Sequence, residues 1–268
     1  MKLRIACYVI LMTLCLGTFS AWAQTDGQPC VNTPLIDRDG NVYRTVQIGS
    51  QCWMSENLRT AHYADGTAIP VAQNREKSDT KGYLFYPDGH AENVAKYGYL
   101  YNWPAAMAEK LSAGEGAQGI CPKGWHLPTE KEFLTLINYV GSQPSYYCEG
   151  DSSFIGKALA STDMWESYAY AGDCVIGNRR ENNNATGFNA IPAGGWHGGR
   201  CVDFNRYADI WTSSCNGALG VYHRLLYYLP YAFMYDAETF SAFSVRCVKT
   251  EKIIHNSQFS MHDSIYNL

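Results

Sequence analysis

The spacing of apolar residues predicts one well-marked helix near the middle of the chain. Thr129 suits the N-cap position, and Glu132 three residues later completes a capping box. Apolar residues then recur at helical spacing until Gly141, which marks the predicted end of the helix. The predicted apolar stripe consists of Phe133, Leu134, Ile137 and Val140. The segment therefore predicts an amphipathic helix with one face on a core.

Short strands surround this helix. β-Branched residues dominate the segments 41–48 and 51–55, which predict two strands joined by a tight turn. An aromatic strand over 97–101 leads into a predicted helix over 103–111, and a short helical piece is predicted over 154–160.

The second half of the chain has a β pattern. From Gly187 onwards short apolar and aromatic runs alternate with glycine-containing turns, as expected for short strands packed by large side chains. The predicted strands lie in the stretches "GFNAIPAGGW", "ADIWTSS", "GVYHRLLYYL" and "SAFSVRCVK".

The first 23 residues have the pattern of a secretory signal peptide. Lys2 and Arg4 precede an apolar run over residues 5–19, and small residues lead up to Ala23, where we expect cleavage. The run is short for a membrane-spanning anchor. A lipid-anchored Cys15 is disfavoured because the preceding residues are not small. We expect an exported protein, located outside the cell, on its surface or in the periplasm.

Charge and hydropathy give no indication of a nucleic-acid or membrane partner for the mature chain. Removal of the signal peptide lowers the Lys and Arg count from 21 to 19 against 25 Asp and Glu, which gives a formal charge of −6. No basic patch or arm is present, so we expect no nucleic-acid partner. No second apolar stretch is long enough to span a membrane.

The cysteines of the mature chain predict disulfides. Ten cysteines become eight once Cys7 and Cys15 leave, and an even number in an exported chain favours disulfide bonds. The spacings are wide and irregular, with none of the close pairs of a zinc site. The eight residues are Cys30, Cys52, Cys121, Cys148, Cys174, Cys201, Cys215 and Cys247.

The stretch "GICPKGWHLPTEKEF" leaves three interpretations open. Cys121 and His126 have the residue types of a metal half-site and of a thiol nucleophile with its base. They also fit one half of a disulfide and a histidine packed at the start of a helix. Elsewhere the segment "DRDGN" lacks the spacing of an EF-hand calcium loop, and no G-x-S-x-G hydrolase motif occurs.

Six blocks in order carry a family resemblance. "DRDGNVYRTVQIGSQCWMSENL", "YGYLYNW", "GICPKGWHLPTEKEF", "TGFNAIPAGG", "IWTSS" and "FSVRCVK" resemble the Fibrobacter succinogenes major paralogous domain family of exported proteins of Bacteroidetes and Fibrobacteres. The resemblance divides the chain into a signal peptide (1–23), a leader (24–35), the domain (36–249) and a polar tail (250–268).

The family is similar in turn to the C-type-lectin-like fold, in the branch of the formylglycine-generating enzymes. The resemblance implies an α+β fold in which two helices flank a twisted, mainly antiparallel sheet with long disulfide-braced loops, and in which the N- and C-terminal strands pair. It also implies a disulfide between Cys121 and Cys247. Cys30 and Cys52 then pair as neighbours. The pairs Cys148–Cys174 and Cys201–Cys215 follow by exclusion and proximity.

The candidate ligand-binding site is a surface formed by residues 196–240. Residues 196–240 are rich in Tyr, Trp and Arg, the usual contact residues of binding sites. In the predicted strand "VYHRLLYYL" alternate residues share a face, and we expect the face of Arg224 to point outward with Tyr222 and Tyr228. The predicted ligand-binding residues are Trp196, Arg200, Asn216, Tyr222, Arg224, Tyr228 and Tyr231.

These observations favour a secreted or surface-displayed, non-catalytic binding module. Its expected ligand is a glycan or an extracellular protein, with no cofactor and no metal. One alternative is a structural or assembly subunit of an envelope or fimbrial complex. A third is an enzyme of the formylglycine-generating type, although "GRCVDFN" and "SSCNGAL", which contain Cys201 and Cys215, do not match that enzyme's motif.

Overall fold

The structure is a computed structural model, and it describes residues 25–73, 76–170 and 172–250. The predicted signal peptide lies outside the described residues, as does the predicted tail beyond Thr250. No helix in the described part of the chain has the length and apolar character needed to cross a membrane.

Strands outnumber helices, and most elements are short. The helices are α1 (Val94–Tyr97), α2 (Trp103–Ala106), α3 (Glu130–Ser142) and α4 (Gly156–Leu159). The strands are β1 (Leu35–Ile36), β2 (Val42–Tyr43), β3 (Thr45–Ile48), β4 (Gln51–Met54), β5 (Leu84–Phe85), β6 (Leu100–Asn102), β7 (Trp125–His126), β8 (Gly195–His197), β9 (Arg200–Val202), β10 (Tyr207–Asn216), β11 (Leu219–Leu226), β12 (Ala232–Glu238), β13 (Ala242–Phe243) and β14 (Val248–Lys249).

The strands form antiparallel sheets that join distant parts of the chain. The larger sheets have the orders β3-β4-β14-β7, β5-β6-β13-β8-β9 and β10-β11-β12, and β1 pairs with β2. In the first sheet Val248 of β14 lies opposite Trp53 of β4. The predicted pairing of N- and C-terminal strands is therefore confirmed.

The N-terminus of α3 is as predicted. The Thr129 side chain accepts a hydrogen bond from the backbone N–H of Glu132, and the Glu132 carboxylate accepts one from the N–H of Thr129. His126 joins this cap, because its Nε2 lies 2.8 Å from Oε1 of Glu132 and its Nδ1 lies 3.0 Å from Oγ1 of Thr250. His126 is thus a packed, hydrogen-bonded residue.

The buried stripe of α3 differs from the prediction at Leu134 and at Leu136, which was not part of the predicted stripe. Phe133, Leu136 and Val140 are buried, whereas Leu134 is 41 % exposed. Phe133, Leu136 and Val140 are spaced by three and then four residues, which places them on one face of the helix. Leu134 lies next to that face and not on it. The helix also continues through Gly141 to Ser142, so that glycine does not end it.

Two other elements differ from the sequence prediction. The helix predicted over 103–111 is the single turn α2, because Ala108 and Glu109 adopt positive φ angles of 52° and 57°, which no helix continues. Strand β12, with the sequence "AFMYDAE", was not predicted and forms the third strand of its sheet. The short helix predicted over 154–160 is α4.

Three predicted disulfides form. They join Cys30 to Cys52, Cys121 to Cys247 and Cys148 to Cys174. The second of these links the segment before β7 to the residue before β14. It therefore adds a covalent bond to the sheet that already holds both ends of the domain.

The predicted Cys201–Cys215 disulfide is wrong, and both residues are free thiols. Cys201 lies in β9, with its Sγ 3.7 Å from the backbone oxygen of Tyr86. Cys215 lies near the far end of the ten-residue strand β10, in another sheet. An extended strand advances about 3.3 Å per residue, so β10 carries Cys215 away from β9. Closeness in sequence was a misleading guide here.

The core between α3 and the three-stranded sheet contains an unusual histidine. His223 is fully buried, stacks on Phe133 with 4.8 Å between ring centroids, and neither of its ring nitrogens has a hydrogen-bond partner among the described residues. Burial, with repulsion from Arg246 as a smaller cause, lowers the pKa of His223 from 6.5 to about 3. The imidazole is therefore neutral in the folded protein.

This buried histidine predicts a pH dependence of stability. In the unfolded chain the imidazole binds a proton as the pH falls below 6.5, whereas in the folded chain it stays neutral down to about pH 3. Between about pH 7.5 and pH 5 we expect His223 to reduce the free energy of unfolding by about 2 kcal/mol. Urea titrations of the native protein and His223→Leu should show this part of the slope only in the native protein. Equal slopes would contradict the prediction, and the exposed His90→Gln is the control.

Candidate ligand-binding face

The three-stranded sheet has one face on the core and one that is partly open. Ile210, His223 and Met234 lie side by side across the strands and point towards α3. Their neighbours Asp209 and Arg224 therefore belong to the opposite face. That outer face is where the sequence places the ligand-binding residues.

Two of the predicted ligand-binding residues are in the core, which corrects the prediction. Trp196 is only 6 % exposed and packs against Phe85, with 4.7 Å between ring centroids. Tyr222 is 4 % exposed and packs against Phe243, with 4.4 Å between ring centroids. Strand β13 and its neighbours cover this end of the outer face. Alternation along a strand assigns a residue to a face, but it does not show what lies on that face.

Arg224 points to the outer face, as expected, but it is not free. Its Nε and Nη2 each donate a hydrogen bond of 2.7 Å to one carboxylate oxygen of Asp209, its neighbour on β10. The carboxylate is buried and the guanidinium is mostly buried, with 17 % of its side chain exposed. Burial raises the pKa of Asp209 to about 6, and the contact with Arg224 opposes this rise. Such a bidentate pair fixes the guanidinium plane.

Arg224 lies among tyrosine rings. Its guanidinium carbon is 4.9 Å from the ring centroid of Tyr207, 5.0 Å from that of Tyr222 and 5.6 Å from that of Tyr235. These distances fit cation–π contacts. The ion pair with Asp209 and the three rings thus hold one another in a fixed arrangement.

Tyr228 and Tyr231 are half-buried and extend this arrangement. The Tyr228 ring lies 6.4 Å from that of Tyr207, and the Tyr231 ring lies 5.7 Å from that of Phe233. Phe233 in turn lies 5.7 Å from Tyr235, which is 45 % exposed. We call the resulting partly exposed row the aromatic band. It consists of Tyr207, Tyr228, Tyr231, Phe233 and Tyr235.

Three members of the band were absent from the predicted ligand-binding residues. Phe233 and Tyr235 lie two residues apart in β12, and Tyr207 begins β10. The signal for the first two is the alternation in "AFMYDAE", which places both rings on one face of a strand. Tyr207 has no local signal, because it joins the band only through pairing of β10 with β11.

The remaining two predicted residues lie outside the band. Arg200 is exposed in the β8–β9 hairpin of the five-stranded sheet. Asn216 is exposed at the C-terminal end of β10, whereas Tyr207 lies at the N-terminal end of that strand. The Asn216 amide donates a 3.0 Å hydrogen bond to Asp236. The structure therefore brings together Arg224, Tyr228 and Tyr231 and leaves Arg200 and Asn216 apart.

The cysteine and histidine residues do not assemble into a thiol or metal centre among the described residues. Cys121 is in a disulfide, so its sulfur is not free to act as a nucleophile or a metal ligand in "GICPKGWHLPTEKEF". One group of three potential ligands occurs in the described part of the chain, Cys148, Glu149 and Cys174, and its two sulfurs form a disulfide. Burial raises the pKa of the Cys201 thiol, which reduces its thiolate fraction.

Comparison with known proteins identifies the family. Neither the curated proteins nor the solved structures include a match to this chain. The model of the Fibrobacter succinogenes major domain matches residues 46–249, which is most of the chain and runs from the second residue of β3 to the end of β14. The chain therefore belongs to the Fibrobacter succinogenes major domain family.

Proposed function

We propose that the protein is an exported, non-catalytic binding module that recognises a glycan or an extracellular protein through the aromatic band. One observation carries the proposal: Arg224, held by Asp209, lies in contact with the rings of Tyr207 and Tyr235 on a partly open sheet face. Tyrosine and arginine are enriched at binding hot spots because they combine apolar area with hydrogen-bond donors.

Rigidity supports this role. The band lies on a sheet whose other face packs on α3. Its rings contact one another in two groups, one at Tyr207 and one at Tyr235, and Arg224 contacts both of these rings. A surface whose side chains are already ordered loses little conformational entropy on binding. Aromatic rings also stack on the apolar faces of sugar rings and on partner side chains, so the band suits either kind of ligand.

The proposed setting is outside the cytoplasm. Three disulfides fit a protein that folds in an oxidising compartment. A C-type-lectin-like fold remains part of the proposal. The features that support it are the sheet-rich architecture, the few short helices and the pairing of the terminal strands. Cys201 and Cys215 are free and lie in different sheets, which argues against an enzyme that uses these two cysteines as a pair.

Truncating the band should weaken ligand binding strongly without unfolding the protein. We expect Tyr228→Ala, Tyr231→Ala and Tyr235→Ala combined to weaken binding at least about 30-fold, since hot-spot aromatic residues each contribute about 1–2 kcal/mol. An array of immobilised glycans and extracellular matrix proteins would identify the ligand, and surface plasmon resonance would give the dissociation constants. Arg224 and Tyr222 are unsuitable for this test because both support the fold.

The matched control is Ile36→Ser with Val42→Ser. These two residues are directly paired on β1 and β2 and are 52 % and 51 % exposed, so the variant removes exposed apolar surface away from the band. It should bind as the native protein does. A folded band variant that binds its ligand with native affinity would disprove the site, and a native protein that binds no probe on the array would count against the function.

One observation favours a second candidate, an assembly subunit. Strand β12 lies at the edge of its sheet, and its outer side has no strand partner among the described residues. Open edge strands accept a further strand from another chain. A stable stoichiometric complex in light scattering of the purified protein would favour assembly over ligand binding.

A further inference from the structure

A cleft elsewhere in the molecule is a second candidate site, separate from the aromatic band. It is a cleft of about 430 Å³, a volume within the range of small-molecule sites. None of its lining residues belongs to the band. Its charged lining residues are Arg44, Glu56, Arg59, Lys96 and Asp163.

The balance of charge in this cleft is positive. Arg44 and Glu56 form an ion pair of 3.5 Å and largely cancel. Lys96 is exposed and forms no ion pair within the described part of the chain. Arg59 is held in place by a 2.8 Å hydrogen bond to the backbone oxygen of Val42. Besides the Arg44–Glu56 pair, the charged lining therefore consists of two cations, Arg59 and Lys96, and one carboxylate, Asp163.

A further cation lies directly behind the wall of the cleft. Arg246 is fully buried, and its guanidinium donates to Oδ1 of Asn57 at 2.8 Å and to the backbone oxygens of Asn189 at 2.7 Å and Phe188. Asn57 and Asn189 line the cleft. Among the described residues no carboxylate forms an ion pair with Arg246, and the attraction of the more distant Glu56 only partly offsets the burial of its charge. In a buried setting this charge adds to the positive potential of the cleft.

The cleft also contains polar groups suited to hydroxyls. Asn184 lines it, and the Oδ1 of Asn184 is buried without a hydrogen-bond partner among the described residues. Its amide nitrogen lies 3.4 Å from Oδ1 of Asn189. Asp163 presents a carboxylate that accepts from hydroxyl donors and repels compact, multiply charged anions. An unpartnered acceptor, a carboxylate and two cations in the lining of one cleft match a ligand with one negative group and several hydroxyls.

We propose that this cleft binds an acidic saccharide, that is, a sugar bearing a single carboxylate. Its carboxylate pairs with Lys96 and Arg59, and its hydroxyls donate to Asn184 and Asp163. This site is independent of the aromatic band and of any ligand bound there.

Ligand-observed NMR titration tests the site with free sugars. The probes are D-glucuronic and D-galacturonic acid, their neutral counterparts D-glucose and D-galactose, and inorganic sulfate. Because a charge-assisted contact with a carboxylate changes affinity about tenfold or more, we expect both uronates to bind at least about tenfold more tightly than the neutral sugars. Lys96→Glu should weaken uronate binding by at least the same factor, and added salt should weaken it too.

Matched variants separate the cleft from other causes. Lys131→Glu makes the same charge change on an exposed residue of α3 and should leave uronate binding unchanged. The triple band variant should also bind uronates as the native protein does. Absence of uronate binding, equal binding of the neutral sugars, tighter binding of sulfate, or an equal effect of Lys131→Glu and Lys96→Glu would each overturn the proposal.

Discussion

Replacing Cys121 and Cys247 together by alanine is expected to lower the free energy of unfolding by about 5 kcal/mol. The disulfide closes a loop with a sequence separation of 126 residues, and in the chain-entropy model such a loop stabilises by about that amount. A loss of this size is a large part of the stability of an ordinary domain. Urea titration followed by tryptophan fluorescence measures it.

The Cys30–Cys52 disulfide supplies the control. Its sequence separation is 22, so the same model gives about 3 kcal/mol for Cys30→Ala with Cys52→Ala. The longer loop should therefore be the more costly to release. Equal losses in the two double variants would show that local packing, and not restriction of the unfolded chain, dominates the effect.

Arg224→Met is expected to destabilise the protein by about 3–5 kcal/mol, because it leaves the buried carboxylate of Asp209 without its partner. The loss should be smaller at acid pH. Burial already raises the pKa of Asp209 to about 6, and without the arginine the carboxyl is protonated more readily. Thermal and urea unfolding at about pH 5 and pH 8 would show both effects.

A second substitution tests the physical reason. Arg224→Met combined with Asp209→Val replaces the whole ion pair by apolar side chains, and such replacements are often close to neutral. We expect the double variant to regain most of the stability lost in Arg224→Met. If it is as unstable as the single variant, the loss comes from the contacts of Arg224 with Tyr207 and Tyr235 and not from the unpaired charge.

The sequence predicted local features well where neighbouring residues determine them. The capping box of Thr129 and Glu132 is a short-range hydrogen-bond pattern, and α3 starts where it predicts. The disulfide between Cys121 and Cys247 followed from the family resemblance, and it forms. The Cys148–Cys174 and Cys201–Cys215 pairs both rested on exclusion and proximity; the first forms, whereas the strand β10 separates the two thiols of the second.

The sequence did not predict which side chains of the candidate sites are exposed or which distant residues they contact. The segment 196–240 is rich in aromatic residues, but its composition does not distinguish Tyr222, which is 4 % exposed, from Tyr235, which is 45 % exposed. The partner of Arg224 is 15 residues away in sequence. The polar cleft joins residues from three distant segments, 44–59, 95–98 and 162–191, and has no local motif.

The amino-acid sequence by itself determined the family, the start of the main helix and the abundance of tyrosine in residues 196–240. It did so because each depends on residue types at fixed spacing or on a recognisable order of blocks. Only the tertiary structure decided which tyrosines are core, that Asp209 neutralises Arg224, and that Arg246 lies behind a polar cleft. Burial and charge compensation arise between residues far apart in the chain, and a sequence pattern does not record which of them meet.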